Sequence, residues 1–314
     1  MRGKFAGALA FAFSIGVSQA AFAADMPVKA LAPAIATPAL TPSGYIELYG
    51  GGDQYNFFGE ERDNAWTLGG AGRANWWLTP NVSMQLDAQG EGSQIHISGC
   101  SGPGCDVSVH DYLIAAHAMW RNSNWGIGAV GAVGDASPGF RFGAVGGEAL
   151  VNWNMITLYL QGGYGSTIGS NVALGADANT WFARGTARFY PTQNWLLEGT
   201  VMGARTNVSP IFCCGGSFDI DTLLWRVKAE TMFNPYMSVY LAYQGSRSNF
   251  PAGTVCCGPD ANDSVTDQRV TIGLRAWLNR DNLRNNDITG APLDFINPFS
   301  LFGFGGQQQM SGYN

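Results

Sequence analysis

Residues 64–93 read NAWTLGGAGRANWWLTPNVSMQLDAQGEGS. Every second residue from Trp66 is apolar or glycine: Trp66, Leu68, Gly70, Gly72, Ala74, Trp76 and Leu78, with Thr67, Arg73 and Asn75 between them. After Thr79-Pro80-Asn81 the alternation restarts, setting Val82, Met84, Leu86 and Ala88 against Ser83, Gln85, Asp87, Gln89 and Glu91. Successive side chains leave a strand on opposite faces, so a period of two held over this length predicts β-strands with one apolar and one polar face. The period alone does not say which face meets water. A soluble sandwich turns the apolar face inward, and a membrane barrel turns it outward to lipid.

The same alternation extends along the chain and predicts strands near 44–52, 64–78, 82–93, 108–121, 124–134, 139–153, 155–166, 178–190, 195–207, 221–233, 237–248 and 266–278. That is about twelve, an even number, as single-chain bacterial outer-membrane barrels require. In 139–153, Phe142 and Leu150 share a face with Glu148, which predicts a bulge there. The connections alternate in length. Short ones fall at 79–81, 122–123, 154, 191–194 and 234–236, and longer ones at 53–63, 94–107, 167–177, 208–220 and 249–265, with 135–138 the exception.

Tryptophan placement decides the wet face. Trp76, Trp77, Trp120, Trp125, Trp153, Trp195 and Trp277 lie near a short turn or the end of the last strand, as do Tyr190, Phe233 and Tyr236. Trp66, Trp181 and Trp225 follow long connections, leaving Gly, Ala, Val and Leu between the two sets. Amphipathic rings belong at the headgroup level, so this is the pattern of two aromatic girdles. From Trp66 to Trp76 a strand rises about 33 Å, or about 25 Å of height at a tilt of about 40°, the height of an apolar band. The expected fold is therefore all-β: a transmembrane antiparallel up-and-down β-barrel of about twelve strands, with short periplasmic turns and longer extracellular loops.

The polar face then lines the interior. Alternation assigns to it Glu47, Arg73, Asp87, Glu91, Arg141, Arg184, Arg188, Glu198, Arg226, Lys228, Glu230, Arg269 and Arg275. So many charges cannot share a dry core, because each would need a partner and full hydrogen bonding. The candidate pore-lining residues are Arg73, Asp87, Glu91, Arg184, Arg188, Glu198, Arg226, Lys228, Glu230 and Arg275. They can form a charged constriction that selects solutes, or pair across a narrow lumen and plug it.

Arg2 and Lys4, the apolar run 6–17 and Ala21-Phe22-Ala23 make a tripartite export signal, so residues 1–23 are expected to be removed as a signal peptide. Without them 15 basic residues face 23 acidic ones, a net charge of −8, which excludes a nucleic-acid partner. Residues 24–43, Pro/Ala-rich from Pro27, read as an extended linker. The barrel itself occupies 44–278. Beyond Leu278 the period of two disappears, and residues 279–314 read as a periplasmic tail whose Phe295, Phe299, Phe302 and Phe304 could form a lid, a plug entering from below or a contact with a partner.

All six cysteines, Cys100, Cys105, Cys213, Cys214, Cys256 and Cys257, fall in long connections, where extracellular disulfides persist; their connectivity is not readable from sequence. His96, Cys100, Cys105 and Asp106 match no zinc spacing, so no metal or other cofactor is expected. His110 and His117 point to opposite faces, and no serine or cysteine can be tied to either. A hydrolase is accordingly the weaker reading. A structural or adhesive barrel presenting SGCSGPGCDVS and PAGTVCCGPDANDS is another.

With the export signal, ADMPVKA (24–30), GYIELYGG (44–51) and the hairpin series, the chain resembles porin-family outer-membrane barrels of alphaproteobacteria. The resemblance implies passive diffusion of small hydrophilic solutes, a surround of outer-membrane lipid and insertion by the outer-membrane assembly machinery. Such barrels usually end in an aromatic residue closing the last strand; here Trp277 takes that place and a long tail follows. The oligomeric state is open.

Overall fold

The computed structural model describes residues 42–57, 63–96, 106–136, 140–168, 177–209, 217–251, 264–279 and 281–299. Twelve strands form one closed antiparallel barrel in which each pairs with its sequence neighbours and the first closes on the last. They are β1 (Ser43–Phe57), β2 (Asp63–Thr79), β3 (Val82–His96), β4 (Asp106–Arg121), β5 (Trp125–Ala136), β6 (Phe140–Trp153), β7 (Ile156–Thr167), β8 (Asp177–Thr192), β9 (Trp195–Ser209), β10 (Phe218–Asn234), β11 (Met237–Asn249) and β12 (Ser264–Trp277), followed by a short helix, α1 (Leu283–Thr289). No described helix is long and apolar enough to cross a membrane; the strands do so. The signal peptide, nearly all of the linker and the six cysteines lie outside the described residues.

The short turns close on side chains that imitate a backbone turn. Thr79 Oγ1 accepts from the amides of Asn81 (3.3 Å) and Val82 (3.0 Å), and Asn122 Oδ1 from those of Asn124 (2.8 Å) and Trp125 (3.0 Å). Thr192 and Asn234 do the same for Asn194 and Tyr236. Asn154 takes φ 51°, the left-handed region that asparagine tolerates better than most residues. Opposite charges at register partners fix the pairing: Glu47 faces Arg275, Arg73 faces Asp87, Arg188 faces Glu198 and Asp53 faces Arg269.

The exterior carries Ile46, Leu48, Leu68, Ile114, Val145, Leu160, Val201, Leu241 and Ile272, all exposed. Trp66, Trp76, Trp120, Trp125, Trp153, Trp181, Trp195, Phe233 and Tyr236 are exposed beside them. Every second residue pointing outward is apolar because lipid, not a second sheet, covers this face. Outward charges sit toward the long connections, where Arg205 meets Asp219 (3.1 Å) and is the register partner of Trp181.

The structure departs from the sequence reading in three places. Trp77, Trp277 and Tyr190 point inward and are buried, so they are not part of the girdle. Arg141 points outward, its side chain 69% exposed, and pairs with Asp135 (3.7 Å) rather than with the lumen. Strand β6 keeps an unbroken register with both neighbours, and Phe142, Glu148 and Leu150 all face inward; the register shifts lie instead at Trp77/Thr79, Phe189/Thr192 and Met232/Asn234, beside short turns. Of the three roles open to the tail, its described part takes that of the plug: it turns back and fills part of the lumen, which is why β6 can carry apolar residues on its inner face.

Candidate functional site: a strap-filled lumen

Leu278 donates its amide to Gly44 O (2.9 Å), sealing the last strand to the first. The chain then enters α1, whose N-cap Asn282 accepts from the amide of Asn285 (2.8 Å). Trp277, Tyr45, Tyr190 and Leu196 pack around Leu283 of α1 and form an apolar floor. Arg284 extends over the Tyr190 ring and donates to Asn154 O (2.7 Å) and Thr157 Oγ1 (2.5 Å).

Residues 290–299 form an extended strap with no regular structure, and the barrel wall supplies the hydrogen bonds that a sheet would. Trp77 Nε1 donates to Thr289 O (2.8 Å) and Arg121 Nη2 to Gly290 O (2.7 Å). Gln85 grips Leu293 from both sides, donating to its carbonyl (2.7 Å) and accepting from its amide (3.2 Å). Tyr159 (3.3 Å) and Gln161 (3.2 Å) donate to Asp294 O. Beyond these, Phe295 packs edge-on against Phe182 (5.6 Å) and Phe299 against Phe142 (5.0 Å), within an inner-wall cluster that includes Leu113, Val130, Met202 and Leu224.

At the level of Asp294 the charges of the wall converge. Its carboxylate meets Arg184, Arg226 (3.3 Å) and Arg73 (3.8 Å), from β8, β10 and β2. Arg73 also reaches Asp87 (3.4 Å), and Arg226 reaches Glu198 (3.0 Å). Glu198 further holds Arg188 (2.9 Å) and Lys228 (3.7 Å), and Arg188 bridges to Asp287 of α1 (2.7 Å). Lys228 then contacts Glu230 (3.3 Å), which binds Arg275 (2.7 Å), and Arg275 pairs with Glu47. Burial by itself would push the Asp294 carboxyl up; the guanidiniums of Arg184, Arg73 and Arg226 more than offset that and hold it well below the usual carboxylate range.

All ten candidate residues read from the sequence point inward, and nine belong to this one network; Glu91 lies apart, with Arg269 (2.6 Å) and Tyr49 (3.0 Å). Alternation also pointed to Glu47 and Arg269. It gave no role to His117, which is buried between Glu148 (2.9 Å) and Asp87 (3.5 Å), nor to Gln85, Arg121 or Asp294. Tyr45, Tyr49 and Tyr55, on the inner face of β1, were legible from parity with Glu47 and Asp53. Among the described residues no group of His, Cys, Asp and Glu is arranged to hold a metal ion.

The strap leaves a cavity of about 270 Å³. Its charged lining comprises Arg73, Arg188, Arg226, Lys228, Arg269 and Arg275 against Glu47, Glu91, Asp111, Glu198, Glu230, Asp267, Asp287 and Asp294, an excess of acid. Five tyrosines, 45, 49, 55, 190 and 240, complete it. The rings of Tyr49 and Tyr240 lie across their register partners Gly69 and Gly273, where a Cβ would collide with them. The lining runs from Tyr55 and Val265 near the long connections to Trp277 and Leu283 near the short turns.

The fold is similar to that of an outer membrane channel from Pseudomonas putida F1, at 13% identity and a TM-score of 0.53 over 79% of this chain and 100% of that one. The NanC porin (8% identity, TM-score 0.41, 72% and 98% covered) and the β domain of the Bordetella autotransporter BrkA (10%, 0.42, 74% and 98%) are also similar. No protein-family model matches the sequence, and no curated protein matches it. By fold the chain is a closed twelve-stranded antiparallel barrel of the transmembrane type.

Proposed function

We propose that this barrel is a channel for passive diffusion of small hydrophilic solutes or ions, and that the path runs through the tyrosine- and charge-lined cavity beside the strap. The observation that carries the reading is the extent of that cavity, whose lining spans nearly the whole height of the strands. Arg73, Glu91, Arg188, Glu198, Arg226, Lys228, Glu230 and Arg275 of the candidate residues line it; Asp87 and Arg184 act from behind the strap. In this reading residues 1–23 direct export, the assembly machinery inserts the barrel, outer-membrane lipid covers the girdle, and no catalysis is involved. The alphaproteobacterial porins that residues 24–30 and 44–51 resemble fit the same role.

Planar-bilayer recording on the purified, folded barrel tests it. Discrete conductance steps with a modest preference for cations are expected from the acid excess in the cavity; a folded barrel that never conducts refutes the channel. A plugged structural or adhesive barrel is the second reading, and the packed floor of Tyr45, Tyr190, Leu196, Trp277 and Leu283 favours it. Silence in bilayers would leave that one standing.

A further inference from the structure

We propose that Arg73, Arg184 and Arg226 form a carboxylate-binding centre in the lumen, and that Asp294 occupies it as an internal ligand standing in for a small carboxylate solute. Three strands that are not neighbours, β2, β8 and β10, send guanidiniums to one point, and the anion they meet comes not from the wall but from the strap. Both carboxylate oxygens are used: Arg184 takes Oδ1, and Arg226 and Arg73 take Oδ2. Arg73 and Arg226 each have a wall acid of their own, Asp87 and Glu198. Arg184 contacts no acid but Asp294 among the described residues.

Donor capacity exceeds what Asp294 consumes. The Arg184 side chain has no exposed surface, yet its Nε and Nη1 find no hydrogen-bond acceptor among the described residues, and the same is true of Arg226 Nε. Among the described residues the Arg184 guanidinium is otherwise held by the Tyr159 ring, 4.8 Å away, and by the carbonyl of Asp294 (3.1 Å). A buried cation with spare planar donors is suited to a fork-shaped anion, which guanidinium binds bidentately. The centre is also reachable: Arg73, Arg226 and Asp294 line the cavity, so an anion entering it meets two of the three guanidiniums directly. The assignment of carboxylates as a solute class rests on the channel reading, whereas the binding centre itself does not.

The test is chemical rescue in the full-length barrel. Asp294→Ala empties the centre. Its thermal unfolding midpoint should fall below wild type and rise again with added acetate, saturating, while chloride at equal ionic strength leaves it where it is. Acetate at 100 times its dissociation constant would favour the folded variant about 100-fold. Wild type, with Asp294 in place, should show no acetate-specific shift, and Arg184→Gln added to Asp294→Ala should abolish the rescue. If Asp294→Ala refolds poorly, refolding yield in acetate against chloride is the readout, and recovery only in acetate supports the centre. Absence of any acetate-specific effect on midpoint or yield, or a rescue that survives Arg184→Gln, overturns it. A barrel that is rescued but never conducts would fail the channel reading alone.

Discussion

Phe299 ends the described strap with none of its surface exposed and its ring 5.0 Å from that of Phe142. Phe299→Ala removes a buried ring from a pocket walled by Phe142, Ala144 and Gly165, whose strands the closed barrel holds in place, so the pocket can close little around the gap. Substitutions of that kind cost about 3–5 kcal/mol. The loss shows most directly in the docked state of residues 290–299, a local unit that opens separately from the ladders of the barrel. At about 1.4 kcal/mol per factor of ten, the undocked population rises about 10²- to 4 × 10³-fold. Hydrogen exchange read by mass spectrometry over 290–299 is the direct assay. Amides there, including that of Leu293 bonded to Gln85, should exchange at least about 10²-fold faster, while peptides from β7 and β8 keep their protection. Unchanged exchange in 290–299 would show that Phe299 does not seat the strap. Equal loss from strap and strands would show that the two unfold as one unit.

Other perturbations act on the same parts. A Cβ at Gly165 would stand 2.9 Å from the Phe299 ring, so Gly165→Val should undock the strap without altering any strap residue; unaltered exchange over 290–299 would refute that close approach. Asp111 and Asp267 line the cavity with no ion pair among the described contacts, so the double change to asparagine should weaken cation preference, read as a reversal-potential shift toward zero in a salt gradient; an unmoved potential would remove both from the ion path. Asp294 sits on the strap with its carboxyl held well below its ordinary value of about 3.9. A depressed carboxyl contributes stability that is complete above the unfolded value and lost as pH falls through the folded one. Strap protection should therefore be equal at pH 7 and pH 5 after correction for intrinsic exchange, and a loss between them would assign control to another group.

Alternation alone located all twelve strands to within a few residues, because lipid on one side and polar groups on the other impose a strict period of two. The turn ends were legible for a different reason: Thr79, Asn122, Asn154, Thr192 and Asn234 are residue types that close tight turns with their own side chains or tolerate φ > 0. Trp76-Trp77 shows where the reading overreached. Neighbouring residues on a strand must point to opposite sides, so only one of the two could belong to the girdle, and parity already said so. Arg141 failed in the opposite way, since near a long connection an outward charge meets headgroups and water rather than hydrocarbon. Phe295 and Phe299 left a plug as one of three readings of the tail, but nothing in its own residues chose between them, because they have no period and Asp294 is one acid in an irregular run. Its trace lay instead on the wall. Phe142 and Leu150 stood on a polar face where nothing local explained them, and a bulge was the wrong explanation.

Those two residues belong to a larger asymmetry. From β4 to β10 the inner wall carries Leu113, Val130, Phe142, Phe182, Met202 and Leu224, all buried, whereas β1, β10, β11 and β12 present Glu47, Tyr49, Lys228, Tyr240, Arg269 and Arg275. A lumen filled with water would wet that apolar crescent at about 25 cal/mol for each Å² exposed, and it would leave Arg184 without an anion. Leu293, Phe295 and Phe299 cover the crescent, and Asp294 neutralises the cation at its edge. Wall and strap are therefore complementary in both respects, and the docked strap is the ground state of this lumen rather than a stopper added to an open pore. It follows that a solute crossing without displacing the strap must use the polar crescent, whose charges, phenols, amides and hydroxyls are interrupted by small apolar side chains such as Ala242 and Val265. On the channel reading, selectivity is then set by the side of the lumen that the strap leaves uncovered.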